Sequence, residues 1–156
     1  MSSDLKLSHC SLDRIIRDQI HKYAGIFVSK KLTLTYESIS QDVLTDEKWL
    51  GFVIGQILSN ALKYTRTGSL RIWQKDPAAL VIEDTGIGID PADIPRLGER
   101  GFTGYNGRLD KKSTGIGLYL CKEISRRLSH TLTIESEPGK GTRVTIDFAT
   151  RQLQVE

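Results

Sequence analysis

The sequence predicts an α+β fold: a two-layer sandwich in which a mixed, mostly antiparallel five-stranded sheet carries three main helices on one face. Three observations predict it. Apolar residues recur at helical spacing in three long stretches, near 12–29, 47–65 and 115–129. Five short stretches rich in Leu, Ile, Val and Thr read as strands, and two pairs of them are joined by turns short enough for antiparallel hairpins. Helices and strands do not alternate in the strict repeat that a doubly wound parallel sheet requires.

The elements follow in chain order. After a short alternating start at Leu5-Lys6-Leu7, Ser11 is placed to cap a helix whose apolar side is Leu12, Ile15, Ile16, Ile20, Tyr23 and Phe27. Leu32, Leu34 and Tyr36 alternate with Thr33 and Thr35, the period of a half-buried strand. Asp46 is placed to cap a second helix with the stripe Leu50, Val53, Ile54, Ile57, Leu58, Ala61 and Leu62, ending near Tyr64-Thr65. Gly68 marks its exit. Strands follow over 69–74 and 79–83 with a turn at Asp76-Pro77. From Asp84 to Thr114 regular periodicity is nearly lost, glycines recur, and a short helix near Asp93–Leu97 is the one regular piece expected. A loop of this length in a compact domain is expected to be functional. Ile116, Leu120, Ile124 and Leu128 define the third helix, and strands over 131–136 and 142–148, joined through Pro138-Gly139-Lys140-Gly141, close a single domain over 1–150, with a tail at 151–156.

Composition narrows the function. Hydrophobic residues at 38% and charged residues at 26% describe a folded soluble chain, not a disordered one. The net charge of +3 is accounted for by one segment, where Arg96, Arg100, Arg108, Lys111 and Lys112 face Glu99 and Asp110. That balance excludes an electrostatic nucleic-acid binder, so no nucleic-acid partner is expected. Cys10 and Cys121 are far apart and form no metal-ligand spacing. No apolar run reaches the ~18 residues that span a membrane.

Two glycine pairs carry the chemistry. Asp84-Thr85-Gly86-Ile87-Gly88 follows a strand, and Thr114-Gly115-Ile116-Gly117-Leu118 opens a helix. Neither completes the dinucleotide fingerprint, since Pro91 and Leu120 stand at the third glycine's place, and Gly139-Lys140-Gly141-Thr142 lacks the Ser or Thr that follows the lysine of a phosphate loop. A helix opening on Gly115-Ile116-Gly117 points unpaired N–H groups and its positive dipole end outward, which suits a polyphosphate. Asp84, at a strand end beside glycines, suits an exocyclic amine such as adenine N6; an Asx-turn is its other reading. Gln56, Asn60, Lys63 and Tyr64 recur at helical offsets that let them face one site. Asn60 offers a neutral carbonyl to Mg²⁺, Lys63 a charge to phosphate and Tyr64 a flat face to a base. Taken singly, Asn60 also reads as a polar residue at a core edge and Lys63 as a solvated lysine.

Together and in this order, these segments resemble the ATP-binding fold shared by DNA gyrase, the Hsp90 chaperone, sensor histidine kinases and MutL, the Bergerat-type fold, over nearly the whole chain. Residues 56–65 resemble the N box, 84–88 the G1 box, 98–103 the F-box region and 114–118 the G2 box, and 138–142 is similar to the closing glycine turn. The form Ala61-Leu62-Lys63-Tyr64-Thr65 is most similar to that of bacterial sensor histidine kinases. Residues 101–108 resemble the lids of membrane kinases that work with antibiotic-exporting transporters in low-GC Gram-positive bacteria.

The resemblance implies a set of roles. Asn60 would hold Mg²⁺; Lys63 and Arg100 would act on phosphate; Tyr64, Asp84, Gly86, Gly88, Thr114, Gly115, Gly117, Leu118 and Thr142 would shape the ATP pocket; and residues 95–114 would be the lid, with Gly98 where the family carries a phenylalanine. Hydrolytic members carry a glutamate four residues before the metal asparagine, whereas Gln56 cannot act as a base near neutral pH. That favours phosphoryl transfer over hydrolysis. His9, His21 and His130 lack the family's acceptor pattern and read as structural. The implied chain is therefore a cytoplasmic catalytic domain, monomeric alone, whose acceptor histidine lies on a separate dimerisation domain of a homodimeric membrane parent, with a response regulator and a transporter as further partners. A stand-alone serine kinase of the anti-sigma-factor type and a degenerate interaction module are the alternatives.

Overall fold

The computed structural model describes residues 5–76, 78–86 and 116–148. Among the described residues ten elements follow one another: β1 (Ser8–Ser11), α1 (Leu12–Lys30), β2 (Thr33–Tyr36), β3 (Asp42–Thr45), α2 (Glu47–Tyr64), β4 (Ser69–Asp76), β5 (Ala79–Asp84), α3 (Ile116–Arg127), β6 (Thr131–Glu137) and β7 (Gly141–Asp147). The expected lid and its short helix, Pro77 of the expected turn, and the tail lie outside the described residues.

Five strands form one mixed sheet in the order β2-β4-β5-β7-β6. The β2–β4 pair is parallel, and the other three pairs are antiparallel. Parallel pairing needs a crossover, and here β3 and α2 lie in the connection between the two strands. The pleat then sorts the residues. Leu70 and Ile72 of β4, Leu80 and Ile82 of β5, and Val144 and Ile146 of β7 are buried toward the helices. Arg71 and Trp73 project from the other face, where both Arg71 and Arg143 lie over the Trp73 ring. Val81, across from Trp73, is buried as well.

Every residue of the expected α2 stripe is buried, from Leu50 to Leu62. At roughly 1.5–3 kcal/mol per large apolar side chain, this helix is the principal support of the core. Its ends are fastened by polar groups. Asp46 Oδ1 accepts from Trp49 N at 3.1 Å, and its Oδ2 accepts from Lys6 N at 2.6 Å. At the other end the Lys30 ammonium donates to the Leu62 carbonyl, opposite the negative end of the helix dipole. Ser11 caps α1 as expected, accepting from Arg14 N.

The N-terminal expectation is corrected. The first strand is Ser8–Ser11, beginning after the alternating start at Leu5-Lys6-Leu7, and it pairs antiparallel with Asp42–Thr45, a strand the sequence reading left out. His9 thus lies within that strand, opposite Leu44, and is exposed, as is His21. His130 is the histidine packed inside, at 4% exposure: its Nε2 is 2.9 Å from Thr45 Oγ1, and its ring meets Phe148 edge-on. The small β1–β3 ribbon is thereby tied to the α3–β6 junction.

Candidate nucleotide-binding site

Three segments converge at the ends of β5 and α2. Asp84 is the last residue of β5, and its Oδ1 accepts from Gly86 N at 2.8 Å and from Thr142 N, at the start of β7, at 3.3 Å. Neither bond uses Oδ2. The Asx-turn of the sequence reading is present, closed by Oδ1 on Gly86 N. Burial raises the Asp84 pKa above its ordinary value, and the Gly86 and Thr142 N–H groups offset part of that rise, as does the nearby Thr65 hydroxyl.

Close approach explains the glycines here. A Cβ built on Gly86 would lie 2.5 Å from the Tyr64 carbonyl oxygen, 2.8 Å from Thr65 Oγ1 and 2.9 Å from Asp84 Oδ1. Gly141 has φ +125°, and a Cβ there would meet the Asp84 carbonyl oxygen at 2.0 Å. Both glycines let backbone pack where a side chain would intrude. The turn before β7 therefore holds Thr142 against Asp84.

On α2, Asn60 and Tyr64 are half-buried and Lys63 is exposed in the last turns, next to the segment that meets Gly86. Gly117 and Leu118 fall in the first turn of α3, whose later residues Cys121 and Ile124 are buried. Burial pushes the Cys121 thiol up to about 12, which leaves it un-ionised. Gly88, Arg100, Thr114 and Gly115 lie outside the described residues. Gln56 lines a cleft of about 280 Å³ between α1 and α2, with Gln19, Tyr23, Trp49 and Phe52 on its walls. Thr65 was missed. Its burial depends on the β5 end packing over the α2 C-cap, which no local pattern reports.

Residues 45–152 match the family described as histidine kinase-, DNA gyrase B- and HSP90-like ATPase. The chain belongs to that ATPase family. Within it, the sensor histidine kinase YxdK of Bacillus subtilis (strain 168) is 38% identical over 95% of this chain and 47% of its own length. The sensor protein BceS of the same strain is 36% identical, over 97% and 46%. The sensor protein kinase GraS of Staphylococcus aureus (strain MRSA252) is also 36% identical, over 98% and 45%. The chain spans a little under half the length of these relatives. In fold, the ATPase domain is similar to the nucleotide-free catalytic domain of the histidine kinase ThkA, with a TM-score of 0.75 at 15% identity over 92% of this chain and 95% of that one. It is also similar to the Acinetobacter baumannii histidine kinase AdeS, with a TM-score of 0.71 at 21% identity over 93% and 68%. The relatives it resembles in sequence are sensor kinases, and the structures it resembles in fold are histidine kinases.

Proposed function

We propose that this domain binds Mg-ATP at the convergence of the α2 C-terminus, the β5 end and the start of α3. From there the γ-phosphoryl passes to a histidine nitrogen on a dimerisation domain elsewhere in a longer protein. The observation that carries the reading is the Asp84 carboxylate, held through Oδ1 by the N–H groups of Gly86 and Thr142 and leaving Oδ2 to accept an adenine amine. Gly86, without a side chain, lets the Asp84 turn close against the end of α2, beside the place proposed for a planar base. Tyr64 and Leu118 would flank it, with Gly88 and Thr114 completing the wall.

Asn60 supplies one carbonyl ligand suited to Mg²⁺, whose other ligands come from phosphate and water, and the bound ion neutralises charge on the transferring group. Lys63, Arg100 and the N-terminus of α3 from Gly115 and Gly117 add positive charge on the phosphates. No general base for water is placed in this set, since Gln56 is neutral. The chain's part is therefore positioning and charge neutralisation, with the nucleophile arriving from the acceptor domain. A response regulator then takes the phosphoryl group. The longer protein sits in the membrane as a homodimer with this domain in the cytoplasm, and a transporter is its further partner.

The test is phosphorylation of a histidine-bearing dimerisation domain in trans with γ-labelled ATP. Label that survives alkali and is lost in acid is expected, and it should vanish with Asn60→Ala. Label stable to acid and lost in alkali would establish the serine-kinase alternative instead, and wild type that binds no nucleotide would leave the interaction-module reading.

A further inference from the structure

Thr65 is fully buried at the C-cap of α2, in extended conformation with φ −110° and ψ 105°. Its Oγ1 makes no hydrogen bond of normal geometry. Buried hydroxyls without a partner are rare because they give up water and gain nothing. Three oxygens meet around the place a Cβ on Gly86 would take: the Tyr64 carbonyl, Thr65 Oγ1 and Asp84 Oδ1. Of the three, the Thr65 hydroxyl alone carries a proton, and Asp84 is the acceptor that can be charged, which makes it the stronger partner. The hydroxyl's nearness favours the ionised carboxylate, against the desolvation that opposes it.

We infer that Thr65 is a positioning residue for Asp84: its hydroxyl steadies the carboxylate in the orientation that accepts an exocyclic amine, and so sets the pocket's preference for a 6-aminopurine. This rests on the nucleotide reading above. The argument is one of proton count. An amine on the base can donate to an ionised Asp84, while a protonated Asp84 would offer a second donor to the same amine and lose the bond. A donor from the protein side keeps both oxygens acceptors. Valine has the same shape without the proton, and serine has the proton without the methyl group.

The experiment is calorimetric titration of wild type, Thr65→Val and Thr65→Ser with Mg-ADP and with the 6-desamino analogue, purine riboside diphosphate. The pair of ligands and the pair of residues form a double-mutant cycle. Wild type should prefer ADP by about tenfold or more, because a site built to bond an amine discriminates against its absence. Thr65→Val should weaken ADP about fivefold or more and leave the analogue unchanged, while Thr65→Ser restores the preference. Equal weakening of both ligands, or an undiminished preference in Thr65→Val, would overturn the inference. If Thr65→Val does not fold, as judged by circular dichroism, Thr65→Ala is read in its place. Wild type that binds ADP without preferring the amine would overturn the Asp84 assignment, and this inference with it.

Discussion

A buried imidazole next to a hydroxyl is a proton-sensitive support, and His130 has that arrangement. Burial lowers its pKa from 6.5 to about 4, and the Ser129 backbone and Asp147 only partly oppose the shift. The unfolded chain therefore takes up a proton that the folded chain resists. Stability contributed by neutral His130 is complete above about pH 6.5 and is lost as the pH falls toward 4. The loss is on the order of 3 kcal/mol for a shift of this size. Replacement by Gln keeps an amide that can bond the Thr45 hydroxyl and removes the titration. Urea unfolding at pH 7 and pH 4.5 should show a smaller acid loss for His130→Gln than for wild type; an equal loss would place the acid sensitivity elsewhere. The sequence reading of His130 as structural carried no sign of its burial, because that burial comes from Thr45 and Phe148, far away in the chain. Asp84 and Gly86 were legible for the opposite reason: two residues apart, they make the same turn that their spacing suggests.

At the level of elements, length and periodicity decided what could be read. The 18 residues of α2 repeat an apolar stripe over several turns, so its existence, its Asp46 cap and its buried face were legible. Strand β3 has four residues and no pattern of its own; it is a strand because β1 pairs with it, a tertiary fact. Glycines divide by the same logic, since only the packing distinguishes tolerant positions from intolerant ones. At Gly55 in α2 an added Cβ would meet Gln19 Oε1 at 2.5 Å, the tip of a side chain that can move aside. Alanine there gains helix propensity of about 0.5–1 kcal/mol, against the displacement of Gln19. At Gly141 the added Cβ meets main chain at 2.0 Å, and φ is +125°. Neither can relax cheaply. Gly141→Ala should cost about 3 kcal/mol or more in denaturant unfolding, through backbone strain and overpacking together, with Gly55→Ala within about 1 kcal/mol of wild type. A comparable cost at both sites would mean that the turn before β7 is not what holds Thr142 against Asp84.

For the whole molecule, the order of boxes along the chain made the fold class legible, because each box sits on a different element, while the strand order and the parallel β2–β4 pair come from the structure. What the order did not reveal is how the site weighs on the stability of the domain. Burial raises the pKa of Asp84, so the folded state holds its proton more tightly than the unfolded chain does. Above that raised pKa the ionised group opposes folding, and the penalty is relieved as the pH falls through it. A ligand that binds only the folded form acts in the opposite sense, adding about 2.7 kcal/mol at a hundredfold excess over Kd. For a domain of this size that corresponds to a rise of about 5–10 °C in Tm. Asp84→Asn separates the two terms, since it removes the charge and keeps an oxygen for the Gly86 and Thr142 N–H groups. At neutral pH, without nucleotide, the variant should melt at or above the wild-type temperature; with saturating Mg-ADP, wild type should rise past it while the variant stays where it was. A variant that melts lower without nucleotide would show that the carboxylate supports the fold more than it strains it. A variant that still rises with ADP would move base recognition away from the end of β5.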